Sequence, residues 1–350
     1  MNRRDFLKGS AMTAAVAALP GELRAAASDK FIWAHYLGMG RNMWGSWRAP
    51  DEPKEEGRRY AREIGSFNVE NWKTITNHAA ERKLNMVVID IGESLRFPSH
   101  PELGLPGCWT PDQMREELRR LRGLGLEPIP KLNFSACHHA WLGEYSRMVS
   151  TRPYYQVCAD LIRDLAEIFD HPRFMHLGYD EERYDMVKDQ NLVLYRQGEA
   201  WWHDFLWFVK TVEDAGMRPW VWSDYGWRHD EYVKRCPKSV MQSNWYYDDD
   251  MGGFDPNDTR NPLQYILKLY IALEKAGFDQ IPCGSNWVSE PRKQKGVQNT
   301  ESMRELVKFC RDRIAPERLK GFFMAPWSNV ETSAGVQHNC AGIDLLAELI

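Results

Sequence analysis

The chain has 350 residues, a formal net charge of −4, 43% hydrophobic residues and 27% charged residues. That balance excludes an intrinsically disordered chain, which combines low hydrophobicity with high net charge. The slightly acidic composition also excludes the basic surface that nucleic acid requires, so we expect no nucleic-acid partner. The length allows two domains, but α/β barrels commonly form a single domain of similar size.

The N-terminal segment has the features of an export signal rather than of a folded element. Asn2-Arg3-Arg4-Asp5-Phe6-Leu7-Lys8 has the form of a twin-arginine signal, and small apolar residues follow at 11–19. Ala25-Ala26-Ala27 then offers a cleavage site before Ser28. The apolar run is shorter than the roughly 20 residues of a membrane span. We predict a signal peptide over 1–27, the twin-arginine export machinery as a partner, a periplasmic or extracellular location and no stable membrane insertion.

The seven cysteines are scattered without any Cys-x-x-Cys spacing. Twin-arginine substrates are exported already folded, so the cysteines need not pair, and their odd number leaves at least one free thiol. Cys137-His138-His139 has the residue types of a metal cluster. Neighbouring residues rarely point at one ion, however, and no second ligand pair has zinc-like spacing. We therefore predict no metal and no other cofactor.

Eight short apolar runs have the length and the β-rich content of strands that are buried on both faces. In chain order, the predicted strands are 31–36, 86–91, 128–132, 174–178, 219–223, 240–245, 281–285 and 322–327.

Helical patterns lie between the predicted strands. In chain order, the clear helices are 71–82, 111–122, 154–169, 199–215, 262–276 and 302–313. Thr110 is the expected N-cap of the second, with Pro111 in its first turn. Gly125, Gly216 and Gly277 stand where three of the helices should end. We also expect a first helix around 51–62, in a charged stretch that contains proline, and a long loop over the barrel mouth at 246–261.

Eight strands that alternate with helices predict an α/β fold, a single (β/α)8 TIM barrel over residues 28–350. The alternative is an open doubly wound sheet that binds a nucleotide. Such a sheet needs a glycine-rich phosphate turn after an early strand, and Gly38-Met39-Gly40 is too weak a match for that turn.

Active sites of such barrels lie at the carboxyl ends of the strands. The polar and aromatic residues at these ends are His35, Tyr36, Asp90, Glu93, Asn133, His138, His139, Asp180, Glu181, Glu182, Trp222, Asp224, Asn244, Trp245, Asn286, Trp287 and Trp327. Carboxylates and amides supply hydrogen bonds, and aromatic rings supply flat apolar faces. This mixture suits a neutral polyhydroxylated ligand, so we expect a carbohydrate substrate.

One motif resembles a known family. His176-Leu177-Gly178-Tyr179-Asp180-Glu181 is similar to the His-x-Gly-Gly-Asp-Glu motif of the family 20 glycoside hydrolases, the β-N-acetylhexosaminidases. In that family the motif closes the fourth strand of the barrel, and here it follows the fourth predicted strand. Two features depart from the family: Tyr179 replaces the second glycine, and the usual arginine of the first strand is missing unless Arg41 serves.

The resemblance implies a glycosidase with two catalytic carboxylates. Glu181 would be the general acid/base, and Asp180 would orient the substrate's own 2-acetamido group, which attacks in place of an enzyme nucleophile. The resemblance also implies that Trp222, Trp245, Trp287 and Trp327 are walls of the sugar pocket and that His176 belongs to the site. From their places after the strands, Asp224, Asn133 and His138 are further candidate substrate-binding residues. Adjacent strand residues point to opposite faces, so the two carboxylates can converge only where the strand breaks, and Gly178 permits such a break.

Alternatives remain open for individual residues. The Asp-Glu-Glu run could be a solvated loop that caps a helix, and Asp224 could be an N-cap rather than a sugar contact. Asn133 and His138 could bind loop backbone instead of sugar hydroxyls. Asp90 and Glu93 form a competing acid/base pair.

Two other functions are also compatible with the sequence. One is a non-catalytic carbohydrate-binding barrel that depends on its tryptophans. The other is a metal-dependent barrel isomerase or lyase with Asp90, His138, Asp180 and Glu181 as ligands.

Overall fold

A computed structural model describes residues 30–65, 67–247, 251, 254–255, 264–288 and 299–350. The chain divides into two units, Met1–Phe31 and Ile32–Ile350. Almost all of the first unit, including the predicted signal peptide, lies outside the described residues, as does most of the loop expected at 246–261. The second unit contains the strands and helices below.

Eight parallel strands form one sheet in the order β6-β5-β4-β3-β2-β1-β8-β7. They are β1 (Ile32–Gly38), β2 (Met86–Asp90), β3 (Glu127–Lys131), β4 (Phe174–His176), β5 (Arg218–Trp222), β6 (Met241–Ser243), β7 (Cys283–Gly284) and β8 (Gly321–Met324). Parallel bridges Gln242–Gln280 and Trp245–Cys283 connect β6 to the segment of β7 and bring the sheet's two edges together. The predicted barrel is confirmed, with a strand at each of the eight predicted places.

Nine α-helices are described. They are α1 (Val69–Glu81), α2 (Pro111–Gly123), α3 (Arg152–Ile168), α4 (Tyr184–Val187), α5 (Gly198–Asp214), α6 (Tyr232–Arg235), α7 (Gln264–Lys275), α8 (Ser302–Arg313) and α9 (Ser333–Ala347). The expected helix around 51–62 is wrong, because that stretch forms turns and bends. Its charged residues and Pro53 offer no apolar face for the barrel, so burial cannot stabilise a helix there.

Local sequence explains where the helices begin and end. Thr110 caps α2 in a capping box: its hydroxyl accepts the amide of Gln113, and its own amide donates to the Gln113 side chain. Gly125, Gly216 and Gly277 have φ values of 82°, 79° and 79°. These are left-handed conformations that glycine adopts without the penalty of a Cβ, so the helices stop as predicted.

Large side chains fill the barrel below the carboxyl ends of the strands. His176, Trp220 and Phe323 are fully buried, and their rings lie 5.1–6.2 Å apart. All seven cysteines are free. In the described part of the chain, no helix combines the length and the apolar character needed to cross a bilayer.

Candidate active site

The loop after β4 has an unusual backbone that separates three consecutive carboxylates. Gly178, Tyr179 and Glu181 have φ values of 67°, 73° and 57°, in the left-handed region. A Cβ on Gly178 would lie 2.3 Å from Cγ of Asn133, so only glycine fits there. The expected break of the strand is therefore present, and it turns the side chains away from a regular alternation.

Tyr179 occupies the position of the second glycine in the family motif. A tyrosine in this backbone conformation is strained, and its surroundings must hold it. Its buried ring lies 5.3 Å from both Trp201 and Phe205, and the guanidinium of Arg196 lies 4.7 Å from the ring centre. The departure from the motif is thus compensated by packing against α5.

Asp180 is fixed from below by Asn133. The Asn133 amide nitrogen donates to Oδ1 of Asp180 at 2.8 Å, while its Oδ1 accepts the backbone amides of Ser135 and Tyr179, both at 3.1 Å. Asn133 is 1% exposed. Asn133 therefore binds the loop backbone, as one of the two interpretations predicts, and it also holds the Asp180 carboxylate directly.

His138 connects the two candidate catalytic carboxylates. Its Nε2 lies 3.2 Å from Oε2 of Glu181 and 3.7 Å from Oδ2 of Asp180, and its Nδ1 lies 3.3 Å from the carbonyl oxygen of Met43. Burial acts to lower the pKa of His138, but the charges of Asp180 and Glu181 outweigh it and raise that pKa to about 9. While both carboxylates are ionised, the ring at neutral pH is a cation that donates from both nitrogens.

Asp224 holds the backbone of Glu181. Its Oδ2 accepts the Glu181 amide at 2.9 Å, and no side-chain bond caps the short 3-10 helix Asp224–Trp227. Burial, followed by the charges of Asp180 and Glu181, raises the pKa of Asp224 to about 7. On the other side, the Cys137 thiol donates to the Glu181 carbonyl oxygen at 2.8 Å. The Glu181 peptide is clamped at both ends.

Five aromatic residues form what we call the aromatic cage: Tyr36, Trp44, Trp222, Tyr247 and Trp327. Trp327 is central, with ring centres 4.8, 5.9, 5.8 and 6.5 Å from those of Tyr36, Trp44, Trp222 and Tyr247. Trp44 also meets His138 edge-on at 5.2 Å. The cage therefore borders His138, the histidine that contacts both carboxylates.

The electrostatics place Asp180 beside this cage. Burial raises the pKa values of Tyr36 and Tyr247, and the charge of Asp180 adds to both increases. The indole of Trp327 hydrogen-bonds the Tyr247 hydroxyl. The charge of Asp180 thus reaches two tyrosines of the cage.

The remaining predicted residues lie at different depths. Trp245 packs at 5.0 Å on Tyr247 and so extends the cage. Trp287 is half-buried after β7, and its amide donates to Ser285 Oγ at 2.9 Å. His176 is fully buried, its ring 4.5 Å from that of Trp222, and its Nδ1 accepts the Gly178 amide. His176 therefore supports the floor of the cage from inside the barrel.

The carboxylates of the competing pair, Asp90 and Glu93, bind separate protein partners. Asp90 accepts the Tyr36 hydroxyl at 3.0 Å and forms a buried ion pair with Lys131. Glu93 accepts the backbone amides of Arg41 and Asn42 at 2.6 and 3.1 Å, and burial raises its pKa. Each carboxylate is occupied by its own protein partners, so this pair is not an acid and a base around one substrate.

His138, Asp180 and Glu181 each offer one ligand atom, and these atoms lie within 4.8 Å of one another. Such a trio has the donor types of a metal site. The fourth ligand of the metal-dependent alternative, Asp90, is bound instead to Lys131.

The third carboxylate, Glu182, points away from the cage into a separate ion-pair cluster. Arg196 donates to both oxygens of Glu182 at 2.7 Å, to Asp204 at 3.1 Å and to the carbonyl oxygen of Phe134 at 2.7 Å. The side chains of Glu182, Arg196 and Asp204 are 1–3% exposed. This cluster anchors the loop to α5.

Sequence reasoning missed Trp44, Tyr247, Lys131 and Arg196. Tyr247 stands two residues after Trp245, close enough to the end of β6 to have been a candidate. Trp44 lies in a short 3-10 helix after β1, and no residue pattern around it in the sequence indicates an aromatic cluster. Lys131 and Arg196 are charged residues in full burial, which depends on partners distant in sequence.

The chain is similar to known proteins in its N-terminal signal and in its fold. Residues 1–20 match the model of the twin-arginine translocation pathway signal sequence, so the chain is exported by that route. No curated protein matches the chain in sequence. Its fold is similar to that of solved glycoside hydrolase family 20 enzymes.

Three solved structures illustrate the similarity. A β-N-acetylhexosaminidase from Bacteroides fragilis has a TM-score of 0.56 at 12% identity, over 89% of this chain and 65% of that one. The Streptomyces coelicolor family 20 β-N-acetylhexosaminidase has a TM-score of 0.55 at 13% identity, over 90% of this chain and 64% of that one. A Vibrio harveyi exo-β-N-acetylglucosaminidase has a TM-score of 0.54 at 14% identity, over 91% of this chain and 57% of that one. The chain thus spans 57–65% of the length of these enzymes, which is less than two thirds, and the likeness establishes the (β/α)8 barrel.

Proposed function

We propose that the protein is an exported glycoside hydrolase that cleaves β-linked amino-sugar glycans by substrate-assisted catalysis. One observation carries the proposal: Asp180 and Glu181 meet at a single histidine, His138, that also borders the aromatic cage. The mature barrel would begin at Ser28. The names of the structural neighbours, which include N-acetyl-β-hexosaminidases, support the choice of sugar.

Glu181 is the proposed general acid and base. Its side chain is 21% exposed, so it can reach a substrate, while its peptide is clamped by Asp224 and Cys137. Glycoside hydrolysis requires a proton donor on the leaving oxygen, and a fixed carboxyl group meets that need. His138 positions the carboxyl group through its Nε2.

Asp180 is the proposed partner of the substrate's acetamido group. Asn133 occupies one of its oxygens, which leaves the other, Oδ2, near His138 and the cage. That oxygen can accept the acetamido N–H, so the acetamido oxygen turns toward the anomeric carbon and becomes the nucleophile. A fixed carboxylate also stabilises the positive charge that develops on the resulting ring.

The cage is the proposed sugar pocket. Trp222, Trp245 and Trp327, with Trp287 at the end of β7, offer flat faces for the apolar side of a pyranose ring. Arg41 is the candidate for the missing first-strand arginine. Its Nε is buried and makes no hydrogen bond within the described residues.

The test compares two aryl substrates that differ only at the 2-position of the sugar. We expect hydrolysis of the aryl N-acetyl-β-hexosaminide and little of the plain aryl β-hexoside, because only the former carries its own nucleophile. Asp180→Asn should lower kcat on the order of 10²–10³-fold. Asp112→Asn, at a 93% exposed carboxylate on α2, is the control.

Equal hydrolysis of both substrates would refute the substrate-assisted mechanism. Glycan binding without hydrolysis of either substrate would instead favour the non-catalytic carbohydrate-binding barrel.

A further inference from the structure

A cavity of about 540 Å³ lies among the loops that follow β1, β2 and β3. Asn42, the first residue of the 3-10 helix Asn42–Trp44, lines this cavity, and Trp44, the last residue of that helix, belongs to the aromatic cage. The cavity volume falls within the range of small-molecule sites. The cavity therefore adjoins the cage and is large enough for a second part of a ligand.

The inner part of the cavity is apolar and its mouth is charged. Trp141 and Leu103 line the inner part and are buried. The half-buried ring of Trp47 forms another part of the wall, and the guanidinium of Arg147 lies 4.8 Å from its ring centre. Lipophilic ring faces beside charged groups suit a sugar ring that carries an ionised substituent.

Arg48 supplies a fixed cation to this wall. One of its terminal nitrogens donates to the backbone carbonyl oxygens of Ala49, Pro50 and Glu52. The other terminal nitrogen makes no hydrogen bond within the described residues and lies 3.8 Å from Oε1 of Glu63. The Arg48 side chain is 15% exposed, so the guanidinium is held in place before any ligand arrives.

Lys54 supplies a second cation, and both cations share one exposed acid. The Lys54 Nζ lies 3.5 Å from the same Glu63 oxygen that faces Arg48. Both distances are longer than a normal charge-assisted hydrogen bond, and the Glu63 side chain is 75% exposed. Such an exposed pair contributes little to stability, so an anion from solution can replace the Glu63 carboxylate at small cost.

The other charged residues of the cavity already have partners of their own. Glu93 accepts two backbone amides, and a Glu102 oxygen lies 2.9 Å from Nδ1 of His100. Arg62, the third cation of the lining, forms an ion pair with Glu331 at 2.5 Å. The first two cations are therefore the ones that can meet a ligand's negative charge.

We propose that this cavity binds an anionic group of the glycan substrate, a carboxylate or a sulfate ester, between Arg48 and Lys54. The proposal rests on the proposed function. Without substrate, the Glu63 carboxylate lies between the two cations, and the ligand's anion displaces it into solvent. The fixed guanidinium then donates to an oxygen of the anion, while the lysine acts as a point charge.

Lys54→Met and Glu63→Gln test the proposal because they should act in opposite directions. Lys54→Met removes a cation that attracts the anion, whereas Glu63→Gln removes the carboxylate that competes with it. Both side chains are exposed, so neither change should disturb the fold. Lys73→Met and Glu70→Gln are matched controls, since these two residues form an exposed pair of 3.4 Å on α1, outside the cavity.

The measurement is calorimetric titration with three disaccharides in which N-acetylglucosamine is joined to glucuronate, to glucose 6-sulfate or to glucose. All titrations use a Glu181→Gln background, so that no disaccharide is cleaved. We expect Lys54→Met to weaken binding of the preferred charged disaccharide by about 5–10-fold, the size of one hydrogen bond to a charged group. Glu63→Gln should tighten its binding by about threefold, the size of an exposed ion pair.

Tighter binding of the glucuronate or of the 6-sulfate than of the neutral disaccharide identifies the anion. The site is refuted if neither charged disaccharide binds better than the neutral one, or if the two cavity variants bind like their controls. Hydrolysis of the aryl N-acetyl-β-hexosaminide by the wild type decides the proposed function separately. That function stands if hydrolysis occurs without any preference for charge, and it fails if charged disaccharides are preferred but nothing is hydrolysed.

Discussion

Two clusters of buried carboxylates lie side by side after β4, and both draw on the same run of three acidic residues. In one cluster, Glu182 and Asp204 share the guanidinium of Arg196. In the other, Asp180 and Glu181 lie beside His138, and Asp224 accepts the backbone amide of Glu181. In the first cluster, which we call balanced, both acids hydrogen-bond a cation. In the second, which we call unbalanced, Asp224 accepts a backbone amide and hydrogen-bonds no cation within the described residues.

The difference separates the role of holding the loop from the catalytic role that we propose for Asp180 and Glu181. A buried ion pair that is fully hydrogen-bonded fixes geometry, and removing one partner leaves a costly unpaired charge. Unbalanced carboxylates in a cleft have shifted proton affinities, as the pKa of about 7 for Asp224 shows. We infer that the Arg196 cluster stabilises the strained loop on which the reactive carboxylates are presented.

The largest expected effect comes from breaking the balanced cluster. Arg196→Met would leave Glu182 and Asp204 buried without their cation, and we expect a loss of about 3–5 kcal/mol in the free energy of unfolding. Denaturant unfolding measures this loss. Arg115→Met is the matched control, because Arg115 pairs with an exposed aspartate and should cost less than about 1 kcal/mol. A similar small cost for Arg196→Met would show that the cluster does not hold the loop.

A smaller effect should follow from relieving the unbalanced cluster. Burial, with Asp180 and Glu181, raises the pKa of Asp224 from 3.8 to about 7 in the folded protein. Between these values the unfolded chain ionises and the folded protein does not, so this residue lowers stability as pH rises from about 4 to 7. Asp224→Asn removes that dependence. We expect the variant to gain about 1–3 kcal/mol on the wild type between pH 5 and pH 8.

Unfolding free energies of both proteins at the two pH values provide the measurement. The Asn side chain keeps an oxygen to accept the Glu181 amide, so the comparison isolates the charge. A pH dependence that is the same in the two proteins would contradict the assigned pKa.

The barrel was predictable because its signals are local. Strands such as 86–91 and 174–178 are short apolar runs, and Thr110 with Gln113 defines a helix start without reference to distant residues. The helix expected around 51–62 is wrong because only the alternation of strands and helices suggested it, and the sequence there has no apolar stripe. In the structure, β4 and β7 end within two residues of their predicted ends, at the points where the chain turns into loops.

The site was less predictable, for a physical reason. The motif with Gly178 indicated Asp180 and Glu181, and the positive φ of Gly178 agrees with the expected break. Its partners come from other loops: Asn133 and His138 are more than 40 positions away. Whether Asp224 caps a helix or holds Glu181 depends on three-dimensional distance, which no pattern along the chain encodes. Likewise, the role of Glu182 depends on Arg196, and the burial of Arg196 is evident only from the fold.

The most direct measurement compares Glu181→Gln with Glu182→Gln, two identical changes at neighbouring positions. Activity on an aryl N-acetyl-β-hexosaminide and the Tm should be recorded for both. We expect Glu181→Gln to lose on the order of 10²–10⁴ in kcat with a Tm within about 2 °C of the wild type. Glu182→Gln should lose less than tenfold in kcat and several degrees in Tm, because it weakens the Arg196 cluster. An active Glu181→Gln enzyme, or the reverse pattern of effects, would contradict the division of roles between these two carboxylates.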